Sequence, residues 1–366
     1  MRNPFTPNFG QVPIHMAGRS FLISEMSTAF DNAPGDPNLT SILVGARGTG
    51  KTALLTCFAN LAEQGGWLAV NVSCIPGMLE DVLEQTQRKA SAFIEKDPEK
   101  HLSGISFGQV FGLEWERKEA PDRNWRTRMA DILDVLDELD IGLLITIDEV
   151  NPKLDEMIQI ASVYQHFIRE ERKVALAMAG LPYKVSALLS DQSVSFLRRA
   201  SQQRLGRIED YEVELAFRQT VEAFDKTVDS KALEKAVAAI DGFPFMMQLV
   251  GFRSWQMSGD RTCIEVSDIE QGIELAGNDM KVRVLRATLD ELSERDLEFL
   301  QAMLPDEELS ATADIEKRLK KSPSHVSTYR RRLLEQGVIE NRGRTRVGFA
   351  LPMLREYLPE YMGSNL

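Results

Sequence analysis

One segment of the chain, GARGTGKT at 45–52, has the residue types and the spacing that bind phosphate groups. Its glycines let the backbone curl so that successive N–H groups point at phosphate oxygens. Lys51 is placed to reach the β- and γ-phosphates of a nucleotide, and the Thr52 hydroxyl is placed to ligate Mg²⁺. The segment therefore predicts a phosphate-binding loop, against the alternative of a chance match in a flexible loop. The predicted loop consists of Gly45, Ala46, Arg47, Gly48, Thr49, Gly50, Lys51 and Thr52.

A pair of acidic residues, Asp148 and Glu149, follows the apolar stretch at 143–147. Ligands of open α/β sheets collect at the carboxyl ends of parallel strands, where such a pair would lie. We expect Asp148 to hold Mg²⁺, mostly through water, and Glu149 to orient or deprotonate the attacking water. A strand followed by two acids is also typical of a solvated strand end. Together with the phosphate-binding loop, the pair favours a catalytic site.

The segments around both motifs alternate between strand and helix patterns. An apolar strand at 39–44 runs into the loop, and helical spacing follows at 53–64. The alternation predicts an α/β fold with a parallel sheet covered by helices on both faces. The segment at 97–123, rich in Gly, Phe and Trp, is compatible with a hairpin at the sheet edge. The other predicted elements are strands at 67–72 and 174–179 and helices at 78–95, 125–139 and 154–172.

Beyond residue 210 the pattern becomes helical and then ends in a small mixed module. The last helix of the first group is expected to begin at a capping box of Ser267 and Glu270. This organisation predicts a P-loop domain at 1–210, a helical lid at 211–290 and a winged helix-turn-helix at 291–366. The predicted lid helices are 215–227, 231–240, 245–257 and 267–289, and the module has helices at 293–304, 311–320 and 324–336 and strands at 338–340 and 346–350.

The charge of the chain is unevenly distributed. The net charge is −12, but 317–346 contains ten Lys/Arg and two Asp/Glu, a local balance of +8 that leaves −20 elsewhere. A basic module on an acidic body favours contact with duplex DNA, although a winged helix with a solvated basic face also serves as a protein-binding or structural domain. The predicted DNA contacts are Ser324, His325, Ser327, Thr328, Arg330, Arg331, Arg342, Arg344 and Arg346.

Composition excludes several other classes of protein. The chain of 366 residues is 43% hydrophobic and 27% charged, which is ordinary for a globular protein. No stretch approaches the roughly 18–20 apolar residues that span a bilayer, and 1–10 has no apolar secretory core. The three cysteines are far apart, so neither disulfides nor a zinc site is expected. A cytoplasmic protein is therefore predicted.

The phosphate-binding loop, LLITIDEV at 143–150, AGLP at 179–182 and the C-terminal module together resemble AAA+-like ATPases of the origin-recognition and archaeal-ATPase kind. The resemblance covers nearly the whole chain apart from 97–123. It implies that ATP is the nucleotide. It also implies that Arg19, ahead of the loop, contacts adenine or ribose, since that family has a short base-contacting segment there. A solvated residue at the start of a helix is the alternative for Arg19.

The resemblance also implies an arginine finger near Arg198, Arg199 and Arg204, of which Arg198 and Arg199 are the predicted catalytic residues. A finger acts in trans on the γ-phosphate, so it implies a homo-oligomer or another protein partner. Simple surface basicity is the competing interpretation.

Two departures from the origin-recognition pattern affect phosphate sensing. GFPF at 242–245 has no arginine, and its Gly-x-Pro pattern resembles STAND signalling ATPases. The strand sequence AMA at 177–179 has no polar sensor residue. Slow turnover, or nucleotide acting as a conformational switch, is therefore expected. The sequence predicts an ATPase whose nucleotide state controls DNA binding. The alternatives are a STAND-like switch whose winged helix contacts protein, and a nucleotide-binding scaffold without significant turnover.

Overall fold

The computed structural model describes residues 2–8, 10–96 and 124–364, and the predicted hairpin at 97–123 lies outside them. Five parallel strands form its central sheet, in the order β2-β3-β4-β1-β5. The first four confirm the strands predicted from apolar sequence. The sequence does not predict β5, because SQQR is polar and pairs only at the sheet edge. The strands are β1 (Thr40–Val44), β2 (Leu68–Ser73), β3 (Leu143–Asp148), β4 (Val174–Gly180) and β5 (Ser201–Arg204).

Helices cover both faces of this sheet. Successive strand side chains point to opposite faces, so Leu144 of β3 packs in one cluster with Leu54 and Phe58. Ile145 and Ile147 belong to the cluster on the other face. The predicted α/β class is therefore confirmed. The helices of this part are α1 (Ser20–Asp31), α2 (Lys51–Gln64), α3 (Met78–Lys96), α4 (Trp125–Glu138), α5 (Asp155–Arg169) and α6 (Pro182–Ser190).

A helical group follows the sheet. Its first helix begins five residues before the predicted start, and Thr227 lies instead in a short strand, β6 (Thr227–Val228), which pairs with β7 (Cys263–Ile264). The long helix expected at 267–289 passes through a π-helical turn at Lys281–Leu285. The helices are α7 (Asp210–Glu222), α8 (Ser230–Ile240), α9 (Pro244–Ser258), α10 (Val266–Met280) and α11 (Arg286–Asp290).

The prediction of a capping box at Ser267 and Glu270 is wrong. The N-cap of α10 is Glu265, whose N–H donates to the Asp268 carboxylate at 2.9 Å. Asp268 is buried and also contacts Arg261, so this carboxylate fixes the start of the helix two residues earlier.

The C-terminal module has the order of elements predicted for a winged helix-turn-helix. Its antiparallel sheet has the strand order β8-β10-β9. The sequence does not predict β8, which has two residues, or the final helix α15, which contains Pro359. The elements are α12 (Glu294–Met303), β8 (Ser310–Ala311), α13 (Thr312–Leu319), α14 (Pro323–Gln336), β9 (Ile339–Asn341), β10 (Arg346–Phe349) and α15 (Leu354–Ser364).

The helical group and the C-terminal module share one hydrophobic core. Gly277 of α10 lies so close to Met353 that an added methyl group would be 2.5 Å from its side chain. The N-terminal segment also packs here, since Phe5 is buried and its ring centroid lies 5.0 Å from that of Phe217. None of the described helices is both long and apolar enough to cross a membrane. The continuous core makes the lid and the module one packed body next to the sheet.

Candidate functional site

The loop at 45–52 connects β1 to α2 and has a backbone that only glycine permits at several positions. Gly48 and Gly50 have φ values of +78° and +86°. A methyl group at Gly45 would lie 2.5 Å from the Thr49 hydroxyl oxygen, which donates to the Ala46 carbonyl at 2.9 Å. The loop therefore curls tightly at the amino end of α2, where a helix favours anions.

Lys51, the first residue of α2, turns its amine back into this loop. The amine donates to the carbonyl oxygens of Gly45 and Ala46, at 3.0 and 2.7 Å. Burial lowers the pKa of Lys51 to about 8, although the nearby charges of Asp148 and Glu149 act to raise it. The cation is thus held at the centre of the loop with part of its hydration removed, which strengthens its attraction for phosphate.

The acidic pair lies at the carboxyl end of β3, beside the start of α2. The Thr52 hydroxyl donates to one carboxylate oxygen of Asp148 at 2.6 Å, and the other oxygen accepts from the Glu149 N–H at 2.8 Å. Glu149 has a φ of +57°, which is uncommon for a residue with a side chain. The structure therefore brings together Lys51, Thr52 and the two acids, from parts of the chain about 100 residues apart.

The lowered pKa of Lys51, about 8, predicts that nucleotide affinity depends on pH. Phosphate binds the protonated amine, so affinity is expected to fall as the pH rises above about 8, by up to tenfold per pH unit. The measurement is the Kd of a fluorescent non-hydrolysable ATP analogue between pH 7.5 and 9.5. The Lys51→Ala variant, which has no amine at this place, should show a nearly constant Kd. A constant Kd in the unaltered protein would contradict the assignment.

Arg19 lies beside the loop, in a cavity of about 40 Å³ that also contacts Thr49, Gly50, Pro244 and Met247. Its guanidinium donates to the Gly206 carbonyl at 3.1 Å. Burial lowers the pKa of Arg19 despite the nearby charge of Glu212. Arg19 therefore lies in a pocket next to the loop, and its contact with adenine or ribose stays a prediction.

The lid touches the loop through GFPF at 242–245. The Phe245 N–H donates to the Gly48 carbonyl at 3.2 Å. A methyl group at Gly48 would lie 2.6 Å from the Phe243 ring. Gly242 itself has a φ of +65°, and a methyl group there would lie 2.4 Å from the Ile208 carbonyl oxygen. The Gly-x-Pro segment therefore packs directly on the phosphate-binding loop.

The C-terminal module also reaches the loop, which sequence reasoning missed. A methyl group at Gly337, at the end of α14, would lie 2.8 Å from the Ala46 β-carbon. Arg47 donates to both carboxylate oxygens of Glu291, at 3.0 and 2.7 Å. Arg207, ahead of the lid, donates to the Glu340 carboxylate at 3.0 Å. No local sequence signal marks these contacts, because each joins segments at least 130 residues apart.

Two side chains at the start of α6 complete the surroundings of the loop. Tyr183 lines a narrow cleft together with Arg47, Glu291 and Gly337. The charge of Lys184 is one of the smaller influences that lower the pKa of Lys51, behind burial. The sequence offered a signal for both residues, since they lie within four residues of the end of β4, where ligands of parallel sheets gather.

The arginines predicted as fingers lie on the 3₁₀ helix after α6 and on the edge strand β5. Arg198 and Arg199 end a 3₁₀ helix at Gln192–Arg199 and are exposed. Arg198 donates to the Leu189 carbonyl at 2.8 Å. Arg204 is exposed at the end of β5, next to Val44 of β1. Their role in trans stays a prediction.

The residues predicted to contact DNA lie on α14, on the turn between β9 and β10, and at the first residue of β10, Arg346. Most are exposed, while His325 and Arg330 are half-buried. Arg330 donates to the Asn341 side chain at 2.6 Å and to the Arg344 carbonyl, so it braces the turn. Arg342 pairs with Glu340 at 2.8 Å. The exposed members are Ser324, Ser327, Thr328, Arg331, Arg342, Arg344 and Arg346.

The sheet order, the loop and the acidic pair define a P-loop nucleotide fold, and solved structures share it. A Walker-type ATPase of Pyrococcus abyssi is 15% identical, with a TM-score of 0.69, and the match covers 94% of this chain and 96% of that one. The ORC2 protein of Aeropyrum pernix, in ADPNP–ADP complexes, is 14% identical, with a TM-score of 0.64 and coverage of 100% and 98%. The chain therefore has the fold of AAA+ P-loop ATPases, which confirms the resemblance.

Sequence comparisons add little to this result. The model of a family described as "Domain of unknown function (DUF8462)" matches residues 282–358, which correspond to the C-terminal module. No curated protein matches the chain.

Proposed function

We propose that this protein binds and slowly hydrolyses ATP, and that its nucleotide state controls DNA binding by the C-terminal module. The observation that carries the ATPase part is the meeting of Lys51, Thr52, Asp148 and Glu149 at one edge of the sheet. Lys51 would neutralise the β- and γ-phosphates, and Glu149 would orient or deprotonate water. Arg19 would contact the adenosine.

The same site suits Mg²⁺. The Thr52 hydroxyl and the Asp148 carboxylate are hard oxygen donors 2.6 Å apart, at an open edge of the sheet. Among the described residues there is no cluster of three or more His, Cys, Asp or Glu that would form a closed metal site. Mg²⁺ would therefore be held by Thr52, Asp148 and nucleotide oxygens together. When bound, it supplies charge neutralisation on the phosphates.

The DNA part of the proposal is supported by the two ends of α14. The carboxyl end packs against the phosphate-binding loop through Gly337 and Ala46, whereas the amino end carries the exposed residues Ser324, Ser327 and Thr328. Because a helix is a stiff element, a change at the loop would move the exposed end as well. Nucleotide binding is thus coupled to the surface that would meet DNA.

Phosphate binding by Arg344, in the turn between β9 and β10, and by Arg346, at the start of β10, predicts a specific salt dependence. Each arginine that no longer binds a phosphate should reduce the steepness of log K against log[salt] by about 0.9. The double variant Arg344→Gln/Arg346→Gln is therefore expected to bind duplex DNA more weakly, with a slope reduced by about 1.8. The measurement is fluorescence anisotropy with labelled duplex at several salt concentrations.

A matched control removes two arginines from the body of the chain. Arg126 and Arg128 of α4 are partly exposed and pair with Glu170 and Glu80. The Arg126→Gln/Arg128→Gln variant has the same net charge as the first variant and should keep the slope of the unaltered protein. Equal slopes in all three proteins would refute contact between the turn and DNA. A matching drop in both variants would point to nonspecific attraction.

A STAND-like signalling switch is the second candidate. It is favoured by the packing of Phe243 and Phe245 on Gly48, which puts the Gly-x-Pro segment on the phosphate-binding loop. In this candidate the module would bind a protein, and DNA would have no effect on turnover. ATP hydrolysis measured with and without duplex DNA separates the two candidates, because only the first expects stimulation. An arginine finger from a second copy of the chain remains part of either proposal.

A further inference from the structure

The Arg47 side chain links the phosphate-binding loop to the C-terminal module. Its guanidinium forms a two-pronged contact with Glu291, which lies between α11 and α12. This geometry matches the planar fork of arginine to a carboxylate. In such loops the backbone N–H groups bind phosphate. The Arg47 side chain is therefore available for a charged contact with the C-terminal module.

Arg47 belongs to the same loop that holds the amine expected to bind a γ-phosphate. The pKa of Arg47 is raised first by the hydrogen bond with Glu291 and further by the charge of Glu149. The charge of Arg47 in turn helps to lower the pKa of Lys51, whose main cause is burial. In the loop, Arg47 directly follows Ala46, whose carbonyl accepts from the Lys51 amine at 2.7 Å. A γ-phosphate there would be a second anion available to Arg47.

We propose that Arg47 is a γ-phosphate ligand that exchanges partners, binding Glu291 when the γ-phosphate is absent and the γ-phosphate when ATP is bound. This inference rests on the proposed ATP binding. The pair with Glu291 is partly exposed, at 33% and 52% of the two side chains, and such pairs are weak. A triphosphate carries more negative charge than the single carboxylate of Glu291, so it is the stronger of the two partners for Arg47.

The exchange gives the site a way to distinguish ATP from ADP. The strand end at 177–179 has no polar side chain for this purpose, and GFPF has no arginine. ADP leaves the Arg47–Glu291 pair intact. ATP removes it, which releases one of the contacts that hold the C-terminal module on the loop. The contact of Gly337 with Ala46 would then be the remaining link at this place.

Equilibrium binding of a non-hydrolysable ATP analogue and of ADP tests the exchange. Arg47→Gln should weaken binding of the analogue roughly tenfold or more, with little change for ADP. Glu291→Gln should strengthen binding of the analogue about two- to fivefold, again without a matching change for ADP. The double variant Arg47→Gln/Glu291→Gln should not show the increased affinity for the analogue that Glu291→Gln gives. Arg47 is the residue that loses its partner when Glu291 is replaced, and the double variant does not have it.

Glu340→Gln is the matched control, since Glu340 of the module also pairs with an arginine, Arg207, which lies ahead of the lid and outside the loop. Its ATP/ADP affinity ratio should equal that of the unaltered protein. Thermal melting checks that each variant is folded. If the ratio of the affinities for the analogue and for ADP is the same in all variants, the exchange of partners is refuted, while the proposal of ATP binding is kept. If the unaltered protein binds neither nucleotide, the proposed function is refuted as well.

Discussion

Replacing Lys51 by alanine is expected to reduce the rate of ATP hydrolysis by about 100- to 1,000-fold. The amine is the cation at the centre of the loop, 2.7 Å from the Ala46 carbonyl, and no other lysine in the described residues has this position. Without its charge-assisted hydrogen bonds, ATP binding should also weaken by roughly ten- to a hundredfold. Release of phosphate, measured with and without duplex DNA, gives both the basal rate and any stimulation.

Lys173→Ala is the matched control for this variant. Lys173 lies just before β4, at the amino end of the strands, and pairs with Asp140 at 2.9 Å. Its replacement removes the same charge from the opposite edge of the sheet. Normal hydrolysis in this control, with none in Lys51→Ala, would assign the effect to the phosphate-binding loop. Equal rates in both variants and the unaltered protein would mean that the loop does not bind the hydrolysed nucleotide.

Replacing Glu149 by glutamine is expected to reduce hydrolysis by about 100- to 10,000-fold while ATP binding is retained. Glutamine keeps the shape of the side chain but lacks the negative charge that orients or deprotonates water. The carboxylate of Asp148 and the hydroxyl of Thr52 remain in contact, so the phosphate site is preserved. Single-turnover hydrolysis, together with the Kd for ATP, separates an effect on the chemical step from an effect on binding.

Glu171→Gln controls for the unusual backbone of Glu149. Both glutamates have a positive φ, of +57° and +55°, and Glu171 is exposed at the far edge of the sheet. A glutamine at 171 therefore repeats the change of side chain in the same backbone conformation. Hydrolysis should be unaffected in this variant. If Glu149→Gln hydrolysed ATP at the normal rate, another residue would be the base. If the unaltered protein and Glu149→Gln both bound ATP and neither hydrolysed it, the protein would be a nucleotide-binding scaffold.

The phosphate-binding loop and the acidic pair could each be predicted from sequence, because each depends on residues that are close together in the chain. The glycines of the loop lie within one eight-residue segment, and the two acids directly follow the apolar run at 143–147. Their meeting follows from a general property of parallel sheets, whose carboxyl ends lie at one edge. The polar edge strand β5 escaped prediction, because pairing with β1 decides its structure rather than its composition.

The surface predicted to contact DNA shows which structural features sequence patterns do not specify. The local charge of +8 at 317–346 identifies a basic module, but it does not separate free arginines from paired ones. Arg330 looks equivalent to Arg331 in sequence, yet it holds the turn through Asn341. Arg342 pairs with Glu340. Side-chain partners of this kind depend on distances between elements, which helical or strand periodicity does not specify.

By itself, the sequence determined the phosphate-binding loop, the acidic strand end, the α/β class and the order of elements in the C-terminal module. These features are encoded by spacing within short segments and by periodicity. Only the tertiary structure decided that the module rests on the loop, through Gly337 against Ala46 and Arg47 with Glu291. The physical reason is that these contacts join surfaces separated by more than 240 residues, and their fit depends on the packing of the whole lid between them.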